Sequence, residues 1–167
     1  VSDETSVRLG LPLLQTGQAQ KEMTYNEALT LLDFAVQPVV EAVGVDTPPA
    51  APAPGACWVV GPTPNGAWTG QANAIAGWSA GGWRFIGADD GMAAWSRADD
   101  AIARFSGGEW TVGRLSGTQV VVAATKVVGT QQSAISTPSG GSAPDTEARI
   151  AITAILAALR THGLIAT

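Results

Sequence analysis

The chain has 167 residues, 46% of them hydrophobic and only 14% charged: about one domain, with material for a core and a sparsely charged surface. A net charge of −5 argues against nucleic-acid binding, which needs a basic stripe to displace counterions. The lone cysteine, Cys57, excludes an intrachain disulfide. With no basic-then-apolar opening and no apolar run of about 18 residues, neither a targeting signal nor a membrane span is expected. So weakly charged a surface suits packing against further copies of the same chain.

In chain order, Leu9–Leu14 (LGLPLL) is too short and too broken by Gly and Pro for a helix, and reads as an extended clip lying on something hydrophobic. Thr24-Tyr-Asn-Glu27 has capping-box spacing and predicts a helix start at Thr24. From there Tyr25, Leu29, Leu32, Val36, Val39 and Val43 recur with a period of about 3.5, a seam on which one helix lies along another. Pro38 ends or kinks that helix. Gly44–Gly55 holds four prolines and reads as a semi-rigid linker. Ala56–Val60 is a short strand, and Asn65-Gly66 a turn that tolerates positive φ.

The stretch after it is written twice. Ala67–Trp83 overlays Ala94–Trp110 without a gap, with eight of seventeen positions identical. Trp68 falls on Trp95, Ala74–Ala76 on Ala101–Ala103, Trp78 on Phe105 and Trp83 on Trp110. Each copy alternates like a strand and carries a Gly-rich turn, so a small antiparallel meander is expected. Thr118–Val128 is β-branched and reads as a last strand or strand pair. Gly129–Pro144 is a Ser/Gly/Pro-rich connector. Asp145 then caps a second helix whose Ala148, Ile152, Ile155 and Leu159 form an Ile-rich seam that favours three or more strands over two. Gly163 and Leu164 make a Schellman stop.

The fold class is therefore α+β: a meander built on a tandem Trp repeat, flanked by a helix at each end, in a trimer. The boundaries are 1–43 for the attachment segment and helix, 44–55 for the linker, 56–128 for the β domain, 129–144 for the connector and 145–167 for the last helix. Leu29, Leu32, Val36, Ile152, Ile155 and Leu159 are the expected subunit interface.

Candidate chemistry is thin. Tryptophans in small meanders are usually core. Trp78 and its counterpart Phe105 are the aromatic pair best placed for stacking a sugar ring. Asp89, Asp90, Asp99 and Asp100 sit at turn-prone positions, where Asp ordinarily bonds backbone, rather than in a six- to eight-oxygen calcium site. These acids and Glu109 offer a glycosidase only a nominal carboxylate pair. His162, the sole histidine, suits a helix C-terminus, and Cys57 a buried apolar strand. No cofactor, no metal and no enzymatic activity are expected.

Arg8–Leu29 (RLGLPLLQTGQAQKEMTYNEAL), followed by Gly55–Gly61 (GACWVVG) and Gly81–Phe85 (GGWRF), resembles an uncharacterised domain family. That family recurs in alphaproteobacterial prophages and in gene transfer agents, the phage-like particles of that class. Glu147–Ile165 resembles a terminal helix found on the same proteins. Gln15-Thr16-Gly17 stands where Gln-Pro-Gly is more usual, a change expected to loosen a turn. The resemblance implies a virion component (a head spike, head fibre or tail fibre) that holds other virion proteins through its N-terminal segment and a bacterial surface polysaccharide elsewhere. A free-standing carbohydrate-binding module is the alternative.

Overall fold

Pro38 sets where the first helix stops. In the computed structural model, which describes residues 5–14, 21–142 and 145–166, α1 spans Lys21–Ala35. Gln37 then takes a left-handed step at φ 45°, and beyond the proline the chain turns extended. Val39 and Val43, the last two residues of the helical seam expected from sequence, lie instead on strands β1 (Val39–Val40) and β2 (Val43–Val45). The start also differs. Lys-Glu-Met upstream are good helix formers, so Thr24 falls inside the helix rather than capping it, and Glu27 pairs with Arg84 instead of reaching back. Gln15-Thr16-Gly17 lies outside the described residues.

The chain divides into two compact units, Val1–Arg114 and Leu115–Thr167. In the first, β3 (Cys57–Val60), β4 (Ile75–Ser79) and β5 (Gly82–Ile86) form one antiparallel meander. A second consists of β6 (Ala93–Ser96), β7 (Ala101–Ser106) and β8 (Glu109–Val112). The ten residues after α1 serve both: β1 adds a parallel edge to β6, and β2 a parallel edge to β3. The sheet orders are therefore β1-β6-β7-β8 and β2-β3-β4-β5. The Pro-rich stretch Gly44–Gly55 lies within this unit and is pinned at both ends. Asp46 accepts from the Thr63 amide (2.9 Å) and hydroxyl (2.8 Å), and the Gly55 amide donates to the Trp78 carbonyl (2.8 Å).

Strand register shows what was duplicated. Trp78 faces Trp83 and Phe105 faces Trp110, with two-residue turns closing both hairpins. The left-handed residues that lead into β4 and β7, Asn73 (φ 64°) and Asp100 (φ 50°), also correspond. Upstream the overlay breaks down. Trp68 sits fully buried in a 3-10 turn, Gly66–Trp68, whereas Trp95 lies on β6. By register the counterpart of Trp95 is Val59, because β3 joins β4 through a long loop and β6 joins β7 through a four-residue turn.

The two sheets stack face to back. Val43, Cys57, Val59, Ile75 and Ile86 of one sheet form a core with Val40, Ala94, Met92 and Trp110 of the other, closed by Phe34 of α1. The opposite face of the first sheet carries Trp58, Trp83, Phe85, Val60 and Ala76 around Trp68. Phe34 needs Gly77 beneath it: a β-carbon there would lie 2.6 Å from the ring. The repeat counterpart is Arg104, which stands exposed.

The remaining face of α1 is held by polar groups. Buried Asp33 accepts from the Ser6 hydroxyl (2.8 Å) and the amides of Arg8 (2.9 Å) and Leu9 (2.5 Å). The Arg8 guanidinium donates to the Asp33 and Gln37 carbonyls, and Asn26 exchanges two hydrogen bonds with the Leu14 backbone. The Leu9–Leu14 clip is thus a turn wrapped on a carboxylate, not an apolar strip on an apolar surface; Leu9 and Leu14 stand exposed.

In the second unit, β9 (Val120–Val122) and β10 (Thr125–Val128) form a hairpin. Asp145 caps α2 (Thr146–Thr161) by accepting from the Ala148 amide at 2.8 Å. The helix stops as its sequence indicates. The Leu164 amide donates to Leu159 and that of Gly163 (φ 69°) to Arg160, a Schellman pattern. The tail then pairs with Gln132. Among the described residues no helix is long and apolar enough to cross a membrane.

Two outcomes follow. Gly77→Ala drives a methyl into Phe34 and should destabilise the folded first unit by roughly 1–3 kcal/mol, read from denaturant midpoints. Burial pushes the Cys57 thiol up from 9.0 to about 11. Unfolded chains ionise first as pH rises, so native stability should fall between those two values, with that slope absent in Cys57→Ala.

Candidate functional site

The aromatic surface is the chemistry to weigh. On the first sheet Trp83 packs at 5.7 Å from Trp58, 5.0 Å from Trp68 and 4.9 Å from Trp78, all edge-on. Edge-to-face geometry at these separations is the favoured aromatic arrangement, so the cluster is primarily a packed one. Trp68 is sealed inside it, and its indole N–H finds no acceptor among the described residues. Trp78, at the margin, is half-buried and keeps part of its ring accessible. Phe105 does not share that position. It is 8% exposed and packs 5.5 Å from Trp110 in the stacked interface, leaving little ring surface for a ligand. The two residues paired by the repeat are separated by what covers them: the second sheet's aromatic face is occupied by the first sheet.

The most exposed indole was missed from sequence. Trp95 is 42% exposed and lies directly opposite Ile102, itself exposed, on the outer face of the second sheet. Its overlay on buried Trp68 disguised it. The signal that separates them is connector length, because only the four-residue turn after β6 puts this indole on a strand. A Trp–Ile pair flanked by Arg104 offers a flat apolar platform with a charged donor at its edge, a surface suited to the face of a sugar ring.

Concave sites are modest. A groove of about 670 Å³ runs beside α1, with Met23, Thr24, Phe34, Ser79 and the Glu27–Arg84 ion pair (2.5 Å) on its walls. A smaller apolar groove of about 340 Å³ lies between α1 and edge strand β5, lined by Leu31, Leu32, Phe85 and Ile86. A cleft of about 280 Å³ lies where the two sheets meet, with Trp110, Glu109 and Asn73 among its walls. There the Trp110 indole donates to the Asn73 carbonyl at 2.8 Å and Asn73 donates to the Gly108 carbonyl at 3.2 Å. These bonds bind repeat to repeat and occupy the polar groups a ligand would use.

The carboxylates singled out from sequence mostly serve turns. Asp90 accepts from the Gly107 amide (3.0 Å), Asp99 from the Ser96 hydroxyl (2.5 Å), and Asp100 supplies a left-handed backbone step. Asp89 and Glu109 are exposed. No three of His, Cys, Asp and Glu come together as a metal-ligand set among the described residues. His162 is the C-cap of α2.

Of the six residues expected at a subunit interface, Leu29 and Leu159 are half-buried within the chain. Leu32 (50%), Val36 (45%), Ile152 and Ile155 stand exposed. On α1 the side turned to the fold combines Phe34 with polar groups (Asn26, Thr30, Asp33), while Leu32 stands half in solvent.

No curated protein and no solved structure matches the chain. A family profile, "Protein of unknown function (DUF2793)", matches residues 25–111, running from the first turns of α1 into β8. With just over half its length covered, the chain belongs to the DUF2793 family.

Proposed function

We propose that the protein is a non-enzymatic structural component of a phage or phage-like particle: a head spike, head fibre or tail fibre, assembled as a homotrimer in the bacterial host. The observation that carries the reading is the pair of bare aliphatic patches, Leu32 on α1 with Val36 just past its end, and Ile152 and Ile155 on α2. Each large aliphatic side chain left in water forgoes about 1.5–3 kcal/mol, which a chain destined for permanent assembly recovers there. The link to virions is drawn from the likeness of Arg8–Leu29 and Glu147–Ile165 to proteins of prophages and gene transfer agents. On this reading the N-terminal segment and α1 dock on the particle, the Trp-rich sheets present the accessible indoles and α2 joins the copies.

Host-surface polysaccharide is the proposed ligand of the first unit, held by the accessible indoles of Trp95 and Trp78. A free-standing carbohydrate-binding module would use the same indoles but leaves the aliphatic faces unexplained.

Gold-labelled antibody against the chain should decorate purified particles at one fixed location, and particles from a deletion strain should stay bare. Recovery of the protein solely in the particle-free lysate would sink the virion reading. In glycan-array or titration binding, Trp95→Ala should weaken saccharide affinity about tenfold or more with the elution volume unchanged. Equal binding by wild type, Trp95→Ala and Trp78→Ala would remove polysaccharide from the proposal.

A further inference from the structure

The second unit contains a hairpin that a single chain gives no reason to exist. Val120 and Val122 point to one face of β9 and Val121 to the other, and every residue of β9 and β10 is exposed. A two-stranded hairpin in water is marginal at best, and one with valine on both faces reads as a strand pair meant to be covered on both. Its turn is also strained. Val122 and Thr125 are joined by Ala123 (φ 46°) and Ala124 (φ 64°). Two consecutive left-handed residues make the type I′ turn, which favours Asn-Gly because L-alanine avoids that region. Strain of this kind persists where surrounding structure over-determines it. Among the described residues the hairpin has no such surroundings.

The rest of the unit offers little more. Among its described residues the buried apolar ones are Leu156 and Ile165, against eleven aliphatic side chains standing 40–97% exposed from Leu115 to Leu164. At about 60–120 Å² of apolar surface for each one fully bared, these amount to roughly 400–700 Å² per chain. That is about the apolar area one partner contributes to a stable interface. Between Leu115 and Ser142 the only charged side chain is Lys126, so nothing in the hairpin segment selects a partner by charge. A unit that cannot complete its core alone needs cover present whenever it folds, and another copy of the same chain meets that condition. Isoleucine at successive seam positions of α2, 152 and 155, favours three or more copies over two, and three is the smallest such number.

We propose that Leu115–Thr167 is an obligate trimerisation module in which the β9–β10 hairpin is a structural partner of α2: three copies together cover both hairpin faces and the Ile152–Ile155 seam. This deepens the homotrimer of the preceding reading and depends on neither its virion location nor its glycan.

The test is light scattering of the full chain, with tryptophan fluorescence and near-ultraviolet dichroism as the folding control, since all six tryptophans lie in the first unit. Wild type should run at three times 17.0 kDa. Val121→Lys and Ile155→Lys should each give monomers with the tryptophan signal intact, and Leu32→Lys on α1 should remain a trimer. Ala123-Ala124→Asn-Gly relieves the turn, and should lower at least tenfold the protomer concentration at which the trimer half-dissociates. A monomeric wild type, a trimeric Val121→Lys, a monomeric Leu32→Lys or an unchanged midpoint with Asn-Gly would each overturn the proposal. Failure to find the protein on particles would leave it standing.

Discussion

Aliphatic side chains left in water forgo a few kcal/mol each, and the two units of this chain meet that cost in different ways. In the first, every strongly apolar strand face but one is covered from within. One face of sheet β2-β3-β4-β5 lies under α1 and the second sheet, and the other is packed with its own tryptophans. In the second unit the covering surface is missing from the single chain, and eleven aliphatic groups stand open. The two units differ in that respect: one is a β unit that covers most of its own apolar surface, the other a segment that leaves most of its own exposed.

Duplication explains how the first unit closes with so few residues. Because both meanders keep the same hairpin register, the aromatic face of one sheet can stack on the opposite face of the other. The short run Val39–Val45 lends an edge strand to each, which fixes the two together at the cost of a single crossing. Stacking in one sense leaves two unlike end faces, as in repeat proteins whose terminal units differ. One end is filled by the Trp68 loop. The other keeps Trp95 and Ile102 in solvent, which is why the outermost strand pair is the stronger candidate for contact with something else.

Much of this was legible because it is local chemistry. Asp145, Gly163 and Leu164 specify the ends of α2 through neighbours within five residues, and the hairpins announce themselves through turn residues and alternation. What was not legible depends on distant partners. The inward face of α1 is set by Asp33, whose donors lie 24 to 27 residues upstream, so a seam drawn through its aliphatic residues picked the outward side. The same seam ran past Pro38 because valines at strand spacing happened to continue a period of about 3.5. In the candidate site, Trp78 was placed at an accessible margin, but Phe105 was expected to match it and is instead buried. Likeness of sequence cannot report that one repeat lies on top of the other. Trp95 was lost for a related reason: an ungapped overlay equated a residue in a long loop with one on a strand.

The central claim is that the second unit acquires its structure from sister chains, and amide hydrogen exchange across Val120–Val128 and Glu147–Arg160 reads it most directly. At high protomer concentration these amides should be protected, with protection falling as the protein is diluted, while the amides of β3 and β4 stay protected throughout. Protection of the hairpin and α2 that is indifferent to concentration down to a monomeric chain would contradict it.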